Sequence, residues 1–122
     1  MKSIVKALAA AAIVTFLAAP ASAQNIGGRY QVIGTNANGS QYSGTAEITL
    51  TSQNTCRIVW VTGSTTSRGI CMRNGPAFSA GYVLNGKVGL VIYQIKGDGS
   101  FDGLWTIADQ AGVGTERLVP AR

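Results

Sequence analysis

Acid–base chemistry in this 122-residue chain would have to come from five carboxylates, Glu47, Asp98, Asp102, Asp109 and Glu116, because the chain contains no histidine. Without histidine the commonest general base is missing, and neither a Ser-His-Asp nor a Cys-His nucleophile can be assembled. A glycosidase-type pair needs two carboxylates facing one cleft. Asp102 and Glu116, on neighbouring expected strands, are the one pairing worth testing, and solvated surface charges are the simpler reading of both. Asp98 lies in Gly97-Asp98-Gly99, where Asp favours a turn by bonding its own backbone. Asp98, Asp102 and Asp109 do not follow the spacing of a Ca²⁺ loop. Gly97-Asp98-Gly99 and Gly112-Val113-Gly114 lack the lysine and the helix of a phosphate-binding loop. No catalytic residue, metal or cofactor is expected, and the chain reads as non-enzymatic.

The two thiols have a different role. Cys56 and Cys71 flank a Gly63-Ser64 pair, which reads as a two-residue type II′ hairpin turn. Pairing across that turn sets Thr62 opposite Thr65, Trp60 opposite Ser67, Ile58 opposite Gly69 and Cys56 opposite Cys71. The cysteines then meet on one face of a ladder, about 5.5 Å apart at Cα, and form a disulfide. With no histidine and no C-x-x-C, a metal or redox pair is disfavoured.

That disulfide needs an oxidising compartment, and the N-terminus supplies a route. Lys2 and Lys6, the apolar run Ala7–Ala19 and the Pro20-Ala21-Ser22-Ala23 site describe a secretory signal peptide over residues 1–23, cleaved before Gln24. The run is too short for a spanning helix, and no membrane span is expected. The mature domain, residues 24–122, is exported to the periplasm or beyond. Its Lys and Arg number eight against five Asp and Glu, a net charge of +3 once Lys2 and Lys6 are removed. These positives are scattered singly, where nucleic-acid binders cluster them, so no nucleic-acid partner is expected.

What positions these groups is a run of short strands. β-branched and aromatic segments alternate with Gly/Asn/Asp/Ser clusters, and no segment after residue 23 has helical periodicity. The strands fall at 28–34, 42–50, 56–61, 66–72, 77–84, 87–95, 101–107 and 113–119. Short links make sequence neighbours antiparallel neighbours. Eight strands suit a closed up-and-down barrel wide enough for side chains to fill, and Gly44, Gly69, Gly89 and Gly103 inside strands support bending. An all-β, single eight-stranded antiparallel barrel is the favoured architecture, with an open sandwich as the alternative.

Two features bear on binding. Trp60, Trp105, Tyr42, Phe78, Tyr82 and Phe101 alternate at positions where a core needs volume, and core filling is favoured over a ligand cavity. The segment Lys87–Ile95 is apolar on both faces, with Leu90 and Ile92 on one and Val91, Tyr93 and Ile95 on the other. If one face fills the barrel, the other exposes an apolar stripe of the kind that marks a partner surface. Val91, Tyr93 and Ile95 are taken as that surface, the alternative being burial beneath residues 24–28.

Several motifs extend over nearly the whole mature chain. They include Gly28-Arg29-Tyr30, Gly34-Thr35-Asn36, Tyr42-Ser43-Gly44-Thr45, Ile58-Val59-Trp60, Gly69-Ile70-Cys71, Gly103-Leu104-Trp105 and Gly114-Thr115-Glu116. In these the chain resembles a set of small exported bacterial β-barrel proteins, some labelled fibronectin-binding. The resemblance implies adhesion to extracellular matrix and carries no catalytic residues. In size and single disulfide the chain also resembles periplasmic inhibitors of metalloproteases, which act through a free N-terminal segment, here Gln24-Asn25-Ile26-Gly27. The expected function is a binding module for a protein partner. The alternatives are a protease inhibitor acting through the mature N-terminus, or a carrier of a small apolar ligand inside the barrel.

Overall fold

Strand follows strand with turns of two to six residues in a computed structural model that describes residues 25–121. The signal peptide expected over residues 1–23, with Gln24, lies outside the described residues. The elements are β1 (Gly28–Thr35), β2 (Gln41–Leu50), β3 (Thr55–Thr62), β4 (Thr65–Asn74), β5 (Ala77–Leu84), β6 (Lys87–Ile95), β7 (Phe101–Ile107) and β8 (Gly114–Pro120). Each pairs antiparallel with its chain neighbours, and β8 closes on β1 to complete a barrel. Among the described residues there is no helix, so none long and apolar enough to cross a membrane. Closure leaves no open edge.

Local chemistry sets the register. Gly63 has a φ of 64°, as the first position of a type II′ turn requires, and Asn85 and Gly86, at 51° and 77°, form a type I′ turn. The β3–β4 ladder places Cys56 opposite Cys71, Ile58 opposite Gly69, Trp60 opposite Ser67 and Thr62 opposite Thr65. Cys56 and Cys71 are joined by a disulfide with Cα atoms 4.9 Å apart. In the β6–β7 turn Asp98 behaves as its type suggests, accepting the Ser100 N–H at 2.9 Å, and Asn38 accepts the Ser40 N–H at 2.9 Å in the β1–β2 turn. Pro120 departs from expectation by pairing with Tyr30 as the last residue of β8.

The disulfide closes a loop spanning 15 positions, and a loop of that size contributes roughly 3 kcal/mol in the chain-entropy model. Replacing both cysteines by alanine is therefore expected to lower the free energy of urea unfolding by about that amount. A shift below about 1 kcal/mol would count against the loop-closure account.

Inward residues build one core. At the end where β1 begins, Phe101 packs edge-on against Tyr30 at 5.2 Å and Phe78 at 5.1 Å between ring centroids, with Leu118 and Ile95 also buried. Ile26 joins this core just ahead of β1, and its carbonyl accepts the Tyr30 hydroxyl at 2.6 Å. A segment anchored this way is not a free N-terminal arm.

The structure corrects the assignment of β6. Val91, Tyr93 and Ile95 point into the barrel and are buried, while Val88, Leu90 and Ile92 are 59, 59 and 61 % exposed. The phase comes from β5, where inward Ala80 and Phe78 pair with Val91 and Tyr93. The outward apolar stripe is therefore the other face, and it is exposed.

Candidate functional site

The opposite end of the barrel is open. A cavity of about 290 Å³ runs inward from it, close to the lower limit of ordinary ligand pockets, about 300 Å³. Its walls are Tyr42 from β2, Trp60 from β3, Tyr82 from β5 and Trp105 from β7, with Glu116 from β8 among them and Thr62, Thr65 and Ser67 adding hydroxyls. The four rings form two edge-to-face pairs, Trp60 with Tyr82 at 5.3 Å and Tyr42 with Trp105 at 6.2 Å.

Most of these rings lie over glycine. A Cβ on Gly34 would strike the Tyr42 ring, one on Gly89 the Tyr82 ring, and one on Gly114 the Trp105 indole. Each glycine sits directly opposite its aromatic on the neighbouring strand. Tyr93, outside the cavity lining, occupies the space over Gly103 in the same manner. The glycines thus do more than relieve curvature: they make the room in which the cavity's rings lie.

Glu116 is 8 % exposed and collects three donors. The Tyr42 hydroxyl donates to Oε1 at 2.7 Å, the Trp60 indole N–H donates to Oε2 at 2.9 Å, and the Tyr93 hydroxyl makes a short bond to Oε2. Ionised carboxylates accept about four hydrogen bonds, so Oε1 retains capacity for one more. The Tyr82 hydroxyl is engaged elsewhere, on the Thr106 carbonyl at 3.0 Å. Among the described residues, Trp105 Nε1 is a buried side-chain donor with no hydrogen-bond partner.

Charge is arranged asymmetrically. Among the described residues no lysine or arginine lines the cavity. The ion pairs lie on the outer surface: Lys87–Asp109 at 2.9 Å, Lys96–Asp102 at 3.7 Å, and Arg117 with Asp98 and Asp102 at 3.8 Å each. Exposed pairs of this kind contribute little to stability. Burial pushes the Glu116 carboxyl above its ordinary value, against the pull of its three donors. Burial first and Glu116 second hold the Tyr93 and Tyr42 hydroxyls well above the usual phenol range, and push Tyr82 up to about 12. All three phenols stay protonated near neutrality.

A raised carboxyl pKa has a defined sign in stability. The folded protein holds the Glu116 proton more tightly than the unfolded chain, so this group's contribution is full below about 4.5 and is lost as pH rises through the folded value. Asp98 works in the opposite sense, held below its usual range by its bonds from Ser100. The difference between wild type and Glu116→Gln isolates the first effect. The variant is expected to gain stability relative to wild type as pH rises from acid to neutral, followed by urea midpoints. Parallel pH profiles would contradict this assignment.

The Asp102–Glu116 pair expected from strand adjacency does not form. Asp102 pairs in register with Arg117 and Glu116 with Gly103, so the two carboxylates point to opposite sides of the wall. Phe78 and Phe101 are core filler, as expected, whereas Tyr42, Trp60, Tyr82 and Trp105 line the cavity. Tyr93, expected on an outer surface, is instead a buried donor to the carboxylate. Glu116 is the residue that sequence reasoning misplaced. Its signal was the alternation Gly114-Glu116-Leu118, which shares a face with Phe101, Gly103 and Trp105 across the β7–β8 ladder. Among the described residues no cluster of His, Cys, Asp or Glu could hold a metal ion.

Comparison with known proteins yields no matching family model and no matching curated relative. Among solved structures, the chain is similar to a redesigned β-barrel with a TM-score of 0.71 and 15 % identity, over 83 % of this chain and 96 % of that one. A second redesigned barrel, mFAP1, bound to DFHBI, aligns with a TM-score of 0.68 and 18 % identity over 82 % and 98 % of the two chains. A de novo fluorescence-activating barrel gives 0.66 and 15 % over 82 % and 97 %. At these identities the likeness is one of fold, that of a small closed barrel.

Proposed function

We propose that the protein is a non-enzymatic, exported barrel that binds a small organic molecule in its open-end cavity. The observation that carries this reading is the buried Glu116 carboxylate with spare acceptor capacity, which lines the cavity together with four aromatic rings, the Trp105 indole N–H lacking a well-formed hydrogen bond. Buried polar groups are normally satisfied, and groups left open at a concave aromatic site are suited to a ligand. The mFAP1 barrel, of the same fold, is bound to the small molecule DFHBI. The Cys56–Cys71 bond supports export to an oxidising compartment, in keeping with the leader expected from the sequence over residues 1–23.

The test is titration with the neutral fluorophore N-phenyl-1-naphthylamine. Trp60 and Trp105, the chain's two tryptophans, both line the cavity, so their emission should be quenched saturably with one-site stoichiometry. Thr62→Phe, which fills the mouth, should weaken binding about tenfold. Unsaturable quenching, or unaltered binding by Thr62→Phe, would remove the cavity from consideration.

A second reading, a protein-partner module, is favoured by the exposed stripe of Val88, Leu90 and Ile92 with Val83 and Leu104 beside it on the outer wall. Pull-down with Leu90→Asp, rather than any change at buried Val91, is its test. Retention of every partner by that variant would end it. The inhibitor reading would require Ile26 to leave the core, and no observation favours it.

A further inference from the structure

We infer that the ligand is a small organic cation, a protonated amine whose N–H donates to Glu116 Oε1 and which carries an acceptor for Trp105 Nε1. This rests on the cavity being a ligand site and goes on to name the chemistry it selects.

Hydrogen-bond capacity comes first. Oε2 of Glu116 receives two donors and Oε1 only one, from Tyr42. The vacant position therefore belongs to the oxygen bonded to Tyr42, both residues lining the cavity, and it calls for a donor. Trp105 Nε1 is buried without a well-formed hydrogen bond, its indole set beside the Tyr42 hydroxyl, and a ligand acceptor would complete it. These two demands have opposite polarity and arise on adjacent strands, β8 and β7.

Charge decides what kind of donor. The three groups already bonded to Glu116 are neutral, and no lysine or arginine lines the cavity. An ionised carboxylate away from water is costly without a counter-charge. An ammonium group supplies that charge, and the same walls repel an anion. The rings of Tyr42, Trp60, Tyr82 and Trp105 add to the preference, since cations are attracted to aromatic rings in desolvated sites. A neutral alcohol could fill the hydrogen-bond vacancy but would leave the charge unbalanced.

The experiment compares four probes on the folded barrel: phenethylammonium, tyramine, 2-phenylethanol and 3-phenylpropanoate. Phenethylammonium and 2-phenylethanol have the same shape and differ in charge. The expected result is at least tenfold tighter binding of phenethylammonium than of 2-phenylethanol, with tyramine tighter still and 3-phenylpropanoate not bound. Glu116→Gln, confirmed folded by circular dichroism, should erase the preference for the ammonium.

Should that variant fail to fold, the pH dependence of the wild type gives the same answer. Around Glu116 the titratable groups are Tyr42 on β2, Tyr82 on β5 and Tyr93 on β6, all held above the ordinary phenol range. Affinity for phenethylammonium should therefore fall toward acid pH as Glu116 alone gains a proton, while that for 2-phenylethanol should not. Equal binding of alcohol and ammonium, with the naphthylamine dye still bound, would overturn the cation assignment and leave the cavity as a ligand site. Binding of neither dye nor any probe would overturn both.

Discussion

Phe101→Ala is expected to cost about 3–5 kcal/mol of folding free energy, the largest effect of any single truncation in this barrel. Phe101 has no exposed surface and its ring meets three others, Tyr30, Phe78 and Tyr93, at centroid separations of 5.2, 5.1 and 5.7 Å. Removing it takes away the transfer energy of a whole ring and leaves a void that a closed barrel wall cannot collapse to fill. Phe101→Leu keeps much of the volume and should cost less than half as much. Urea denaturation followed by tryptophan emission measures both. A loss near 1 kcal/mol for the alanine variant would mean that this end of the barrel is not packed as described.

Gly69→Ala is expected to cost more than about 3 kcal/mol, beyond the usual penalty of adding a methyl group to a packed site. A Cβ on Gly69 would collide with the carbonyl oxygen of Gly81 on β5, and backbone held in a ladder cannot step aside as a side chain does. Gly44 meets the Val61 carbonyl in the same way. Gly114→Ala makes the informative contrast, because its Cβ would meet the nitrogen-bearing edge of the Trp105 indole, a side chain that lines the cavity, rather than backbone. It should cost less stability than Gly69→Ala, yet weaken binding of the naphthylamine dye by displacing a ring of the site. Equal destabilisation by Gly69→Ala and Gly114→Ala would contradict this division between glycines that admit backbone and glycines that admit rings.

The architecture was legible because the information that specifies it is local. Gly63-Ser64 and Asn85-Gly86 dictate their turns, each turn dictates a register, and the register brings Cys56 to Cys71. Which side of a strand faces inward was harder. On β6 both faces are apolar, so hydrophobicity could not choose between Leu90 and Val91. The decision lies in cross-strand partners, Phe78 opposite Tyr93, which emerge only once β5 and β6 are paired.

Glu116 was misread for a related reason. A carboxylate on a strand defaults to solvent, and here three donors from β2, β3 and β6 make burial tolerable. Those donors are 74, 56 and 23 positions away in the chain. No local pattern announces a group assembled from so far apart. The inward glycines were visible, but their part in seating Tyr42, Tyr82 and Trp105 depends on the ladder and not on the glycine alone.

The site at the open end of the barrel is tested most directly by the two indole N–H resonances, Trp60 Nε1 bonded to Glu116 and Trp105 Nε1 unpaired. Titrating ¹⁵N-labelled protein with the naphthylamine dye should move both resonances along one saturating curve, while the amide of Phe101, at the closed end, stays in place. If the dye binds and both indole signals remain unmoved, the ligand sits elsewhere, and the account of Glu116 and its ring-lined cavity is wrong.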